Sequence, residues 1–327
     1  MIKLVDNFPN QLKHALSIAN AAILNEPKTP IQNIVITGLG GSGIGGTIIA
    51  ETLLDTLKVP VVVNKDYFLP AFVNENTLLI VSSYSGNTEE TVDAMQQAIL
   101  KKAQIVCVTS GGKILELAKQ NLIEFIEIPG GQPPRSCLGY SLVQLFKVFV
   151  SKKLAPNTLL NDIETAISLL INNNNFIINE AKQIAKILTG KLTVIYSLGG
   201  SEGVAVRFRQ QINENSKQLC WHHVFPEMNH NELVGWTEKN DNLVVLTFHT
   251  SYDFKRTVKR YDVCKPIFEK YSNKVIDVTA KGDTKLQQFL YLINIGDYIS
   301  CYIAEIKNID AVEVNVINHL KNELSKF

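Results

Sequence analysis

Residues 33–46 read NIVITGLGGSGIGG. An apolar run rich in β-branched side chains passes directly into a stretch with six glycines. A run this short, closed by glycine, predicts a buried strand, a glycine-rich turn over 38–46 and a helix over about 46–57. The same layout recurs outward along the chain. VPVVVNKDY (59–67) reads as a second strand, and TLLIVSSYSGNT (77–88) as a third that ends in a polar turn. A helix follows over about 88–102, AQIVCVTSGG (103–112) repeats the scheme with a further helix, and FIEIPGG (125–131) is the last strand of this half. Val- and Ile-rich strands alternating with helices predict an α/β fold, a mainly parallel sheet with helices on both faces.

The pattern then restarts. SKKLAPNTLLND (151–162) is the expected connection, followed by a helical region to about 189. LTVIYSLGGSEG (192–203) copies the layout of NIVITGLGGSGIGG, and LVVLTFHTSYDF (243–254) copies TLLIVSSYSGNT. This weak internal repetition predicts two similarly built domains, 1–150 and 151–327. The last stretch, 286–326, reads as two helices, the second with Ile317, Leu320 and Leu324 at helical spacing.

Composition narrows the function classes. A chain of 327 residues is too long for one ordinary core and suits two. With 46% apolar and 19% charged residues and a net charge of +1, nothing predicts long-range attraction to nucleic acid or to an anionic membrane. An anionic ligand has to be held by local geometry. The five cysteines, Cys107, Cys137, Cys220, Cys264 and Cys301, are odd in number and contain no CxxC, which argues against a zinc site or a disulfide framework. Cys107 and Cys301 lie in apolar runs and read as core residues; His222 and His223 read as a polar surface turn. Reduced thiols fit a cytoplasmic protein. Residues 1–10 lack a signal-peptide pattern, and no run of about 18 consecutive apolar residues marks a membrane span.

Four stretches carry groups suited to chemistry. SSYSGNTEET (82–91) places Ser82, Ser83, Ser85 and Thr88 at a strand end, with Gly86 for the turn and a helix starting beside them. Hydroxyls plus the free N–H groups of a helix start suit a phosphate dianion without lysine. An ordinary N-cap explains Thr88 but not four hydroxyls. GLGGSGIGG also fits a dinucleotide fingerprint, with Asp66 about where a ribose-binding acid stands. Ser42 inside that turn and the second polar loop count against it. RFRQQINENSK (207–217) and PEMNHNELVGW (226–236) set Glu214 and His230 among amides, as suits sugar hydroxyls and one base. Arg135, in PGGQPPRSCLGY (129–140), sits on a loop stiffened by Pro133 and Pro134.

Taken in order, GLGGSGIGG, SSYSGNTEET, PPRSCLGY, RFRQQINENSK and PEMNHNELVGW resemble the bifunctional phosphoglucose/phosphomannose isomerase family, over about residues 35–325. That resemblance implies two sugar-isomerase (SIS) domains. It implies an aldose–ketose isomerase that takes a phosphorylated hexose, with no cofactor and no metal. Gly41, Ser42, Ser83, Ser85 and Thr88 are then expected to hold the phosphate. Glu214 is expected to move the proton between C1 and C2, and Arg135 to stabilise the enediolate. His230, supplied by the other subunit of a homodimer, and Lys321, in NHLKNEL, are expected to open the sugar ring. Two features depart from the pattern: Cys137, two residues after Arg135, stands where a small apolar residue is expected, and IDAVEVNVINHLK (309–321) holds no threonine. Two other classes stay open on the residues alone. They are a non-catalytic sugar-phosphate sensor, which has no need of Glu214, and a nicotinamide-dependent oxidoreductase.

Overall fold

The computed structural model describes residues 1–326. Its first sheet is built around β1 (Asn33–Thr37), whose side chains sort by parity. Ile34 and Ile36 face one core and Val35 faces another, as a pleated strand covered on both sides requires. β2 (Val61–Asn64), β3 (Thr77–Ser83), β4 (Gln104–Thr109) and β5 (Glu124–Glu127) pair with it in parallel, in the order β2-β1-β3-β4-β5. A second parallel sheet contains β6 (Leu192–Leu198), β7 (Cys220–Phe225), β8 (Asn240–His249) and β9 (Ser272–Thr279), in the order β7-β6-β8-β9. Its four strands repeat the order of the first four, so β6 stands where β1 does and β8 where β3 does. The expected α/β fold with two parallel sheets is observed.

Helices fill three layers. α2 (Phe8–Ala21), α3 (Gly40–Thr52), α6 (Leu138–Ser151), α7 (Thr158–Leu188), α8 (Glu202–Ser216) and α10 (Lys285–Ile306) share one apolar core with the inner faces of both sheets. α4 (Glu89–Leu100) and α5 (Gly112–Gln120) cover the outer face of the first sheet. α9 (Lys255–Tyr271) covers the outer face of the second. α1 (Ile2–Asp6) adds Val5 to the central core, while α11 (Asn315–Leu324) buries no residue. α10 is long and apolar enough to cross a membrane, yet 83% of its most apolar window is buried inside the protein. Cys107, Cys137 and Cys301 are buried, and all five thiols are free.

The structure corrects several boundaries. The helix after β1 begins at Gly40, so most of the expected turn over 38–46 is helix. Each helical glycine costs about 0.5–1 kcal/mol against alanine, and the return is close approach. A Cβ on Gly43 would lie 2.3 Å from the Gly38 carbonyl oxygen, and one on Gly46 would lie 2.9 Å from Ile36 Cγ2. The glycines let α3 lie against β1. The edge strands β2 and β5 stop short of 67 and 131: residues 65–67 and Pro129-Gly130-Gly131 lie outside the ladders, while Pro60, with no N–H to give, only accepts from Ile34 ahead of β2. Within the expected connection 151–162 only 152–157 lies between helices, since α7 starts at Thr158. His222 and His223 belong to β7 and are partly buried, not on a surface turn.

Candidate active site

The first cluster lies where β1 and β3 end. α3 starts there without a side-chain cap, and so does α4, although Thr88 occupies its N-cap position. The first N–H groups of both helices therefore face outward from their dipoles without a protein acceptor. The Ser42 hydroxyl accepts the Tyr84 N–H at 3.1 Å, which ties the start of α3 to the serine loop. Ser83 Oγ accepts the Gly86 N–H at 3.2 Å and lies 3.2 Å from Thr88 Oγ1. Exposed Ser85 accepts the Asn87 N–H at 3.3 Å. Gly86 has φ +69° and a Cβ there would meet the Gly111 carbonyl oxygen at 1.8 Å, so only glycine closes this turn. Ser83 donates to Thr88, while the Ser42, Ser85 and Thr88 hydroxyls only accept and keep their own protons to donate; beside two helix starts they suit an anion such as a phosphate.

Next to it stands Arg135. Its short 3₁₀ turn, Pro134–Ser136, follows Pro133 and is held from α2, where Gln11 donates to the Ser136 carbonyl at 2.8 Å. The turn abuts α3: a Cβ on Gly41 would lie 3.4 Å from Pro134 O and 3.5 Å from Arg135 Cα. The side chain, only 5% exposed, then reaches the other domain. Nε donates to Asn215 Oδ1 at 2.7 Å, one terminal nitrogen sits 3.4 Å from Glu214 Oε2, and the other donates to the carbonyls of Ala311 and Val312. Burial pulls the Arg135 pKa down and the Glu214 carboxylate opposes that pull. Glu214 itself keeps 29% of its side chain accessible and lines a cavity of about 440 Å³ together with Lys217, Glu313, Val316 and Ile317. Lys217, in the left-handed conformation that ends α8, donates to the carbonyls of Glu214 and Glu313. Burial lowers its pKa, and Glu313 counters this. The geometry thus sets a reachable carboxylate beside a fixed cation, one helix start away from an anion cradle.

His230 and Lys321 are placed differently. His230 ends the 3₁₀ turn Glu227–His230 after β7, is exposed, and its imidazole makes no hydrogen bond to another described residue. Glu214 lies at the end of α8, near where β7 begins. The six residues of β7 span roughly 17–20 Å, so the two side chains stand at opposite ends of the second sheet. Lys321 is exposed on α11, one helical turn beyond the cavity-lining Ile317 and on the same side of the helix. Asn215 and the 311–313 backbone, which hold Arg135 and Lys217, had no signal in the sequence beyond the amide richness of NENSK. Among the described residues no three His, Cys, Asp or Glu side chains gather as a metal cluster.

Residues 29–127 match the SIS domain model, and residues 177–324 match the bacterial phospho-glucose isomerase C-terminal SIS domain. A bifunctional phosphoglucose/phosphomannose isomerase of Caldicellulosiruptor bescii is 39% identical over 100% of this chain and 99% of its own length. The protein of the same description from Aquifex aeolicus is 36% identical over 91% of this chain and 92% of its own. In fold, the C-terminal domain of glucosamine-fructose-6-phosphate aminotransferase from Francisella tularensis superposes with a TM-score of 0.77 at 13% identity, covering 96% of this chain and 98% of that one. That likeness shows a shared fold and nothing about substrate. With full-length identity of this order to such relatives, the chain belongs to the bifunctional phosphoglucose/phosphomannose isomerase family.

Proposed function

We propose that this protein interconverts glucose 6-phosphate and mannose 6-phosphate with fructose 6-phosphate through a cis-enediol. The observation that carries the reading is the accessible Glu214 carboxylate 3.4 Å from the buried Arg135 guanidinium, beside the uncapped start of α3. Gly41, Ser42, Ser83, Ser85 and Thr88 hold the phosphate. That binding fixes C1 and C2 against Glu214 from a distance, which converts remote contacts into orientation. Glu214 removes the C2 proton of the open-chain aldose, and the electron pair moves through C1 to O1. O1 takes a proton to give the enediol, O2 loses its own, and Glu214 returns a proton to C1 to leave the ketose. Arg135 faces the oxygens where negative charge develops, already desolvated and held by four hydrogen-bond acceptors, so little reorganisation is needed during the reaction. One carboxylate that takes and returns the proton meets the needs of the chemistry. In this reading residues 1–150 hold the phosphate and Arg135, and residues 151–327 carry the base; Phe327 lies outside the described residues.

We further propose a homodimer whose partner supplies His230. The support is the separation of His230 from Glu214 along β7 within one chain, together with the absence of any bond holding the imidazole. Lys321 and the incoming His230 then serve ring opening and closing. Five free thiols support a reducing, cytoplasmic setting.

Incubation of each hexose 6-phosphate with the purified protein in D₂O, followed by NMR, reads C2 deuteration and ketose formation together. Glu214→Gln is expected to lower turnover about 10²–10⁴-fold while sugar-phosphate affinity stays within a few fold. Full turnover in that variant removes Glu214 as the base. Mixed subunits carrying Glu214→Gln and His230→Ala separately are expected to regain part of the activity on exchange. If exchange is demonstrated and no activity returns, the site lies within one chain.

A further inference from the structure

Behind Arg135 lies a closed circuit of buried polar groups. Arg135 Nε donates to Asn215 Oδ1 at 2.7 Å, and Asn215 Nδ2 donates to Ser300 Oγ at 2.9 Å. Ser300 Oγ donates to the Asp297 carbonyl at 2.7 Å. The Asp297 carboxylate pairs with Arg207 at 2.6 Å, and the same Arg207 nitrogen donates to the Arg135 main-chain carbonyl at 3.0 Å. The circuit therefore grips Arg135 at both its side chain and its backbone. It joins the Pro134–Ser136 turn of one domain to α8 and α10 of the other. None of its members exceeds 5% exposure. Asn215, Ser300, Asp297 and Arg207 form no part of the proposed proton transfer.

Stability does not account for it. A buried ion pair costs so much desolvation that apolar side chains of similar volume replace it with little loss or some gain. Asp297, on an α10 otherwise apolar enough to cross a membrane, and Arg207, on α8, stand in a core that has abundant apolar neighbours. Arg207 Nε is left without a partner among the described residues, but every link that leads to Arg135 is made, and a buried chain of such links restricts the guanidinium to few geometries.

We propose that Asn215, Ser300, Asp297 and Arg207 are positioning residues that set the Arg135 guanidinium relative to Glu214. The inference rests on the reading that Arg135 stabilises the enediolate. It makes the circuit the link through which the relative placement of the two domains reaches the reacting carbons: a shift of α10 or α8 moves Arg135 with it.

Three full-length variants test this by steady-state isomerisation and urea melts. Arg135→Lys tests the underlying reading and is expected to lose about 10²-fold in kcat, since lysine cannot reproduce the fork. Ser300→Ala opens the circuit without leaving a charge, and is expected to lower kcat about tenfold with KM within about twofold. The double variant Arg207→Met/Asp297→Leu is expected to be as stable as the parent or more so, and still at least about tenfold slower. Normal kcat in Ser300→Ala and in the double variant, with Arg135→Lys impaired, overturns the positioning role and leaves the reading of Arg135 intact. Full activity of Arg135→Lys removes that reading, and the inference with it. If the double variant does not fold, Ser300→Ala alone decides.

Discussion

The two domains offer the same places to an anion and treat them in opposite ways. In the first, α3 and α4 start after β1 and β3 with no protein side chain capping them, and the loop between β3 and α4 displays Ser83, Ser85 and Thr88. In the second, the corresponding places are taken by the protein's own carboxylates. Glu51, from the far end of α3, reaches across the domain boundary and both its oxygens accept the Gly203 N–H at the start of α8. Asp253 folds back within the loop after β8 to accept the Thr250 N–H at 2.9 Å and the Thr250 hydroxyl at 2.7 Å. Ser251 is likewise spent on Gln288. One architecture, repeated, thus yields a pair of helix starts with no side-chain cap, which the proposed function assigns to the phosphate, and a copy that is internally neutralised. In the proposed function the copy carries the base, Glu214, at the other end of α8.

A matched pair of variants can break this contrast. Ser85→Ala/Thr88→Val removes two hydroxyls from the open loop and is expected to lower kcat/KM about 10²–10⁴-fold, mostly through KM, since hydrogen bonds to charged groups contribute about 1.5–3 kcal/mol each. Asp253→Ala strips the acceptor from the filled loop. It leaves the Thr250 N–H unpaired, and is expected to cost about 1–2 kcal/mol in stability with unchanged KM. If Asp253→Ala shifts KM as strongly as the first variant, the phosphate does not select between the loops as proposed.

The smaller effect concerns Glu51, whose pKa burial raises to about 7 against the pull of the Gly203 N–H, with Glu202 adding to the rise. The folded-state value lies above the unfolded one. Between about pH 4.5 and 7 the native state therefore binds the extra proton, and this group's contribution to stability falls as pH rises through that window. Glu51→Gln does not titrate. Relative to the parent it is expected to gain on the order of 1 kcal/mol in stability between pH 5 and pH 8, read from urea melts at the two values. A constant difference across that range shows that Glu51 stays ionised and acts as a simple helix cap.

Much of this was legible residue by residue. The alternation of Ile34, Val35 and Ile36 and the repetition of NIVITGLGG in LTVIYSLGG announced two parallel sheets, because a strand buried on both faces leaves few other patterns. The serine loop was readable since its hydroxyls and its glycine are adjacent in sequence. The glycines of 40–46 were misread as a turn: what demands them is contact with Gly38 and Ile36, and a missing Cβ looks the same whether it frees the backbone or admits a neighbour. Glu51, Asp297 and Ser300 carried no local signal. Glu51 lies 152 residues from its partner Gly203, and Asp297 lies 90 from Arg207.

By itself, then, the sequence determined which segments become strands and helices, that the pattern occurs twice, and which residue types gather near an anion and a base. These follow from short-range periodicity and backbone preference, which act within a few residues. Only the tertiary structure decided that Arg135 crosses to Glu214, that Glu51 and Asp253 neutralise the second domain's helix start and loop, and that His230 stands a sheet's length away from the base. Those outcomes depend on how the two sheets pack about one shared helical layer, and burial across that layer gives a distant polar pair its strength.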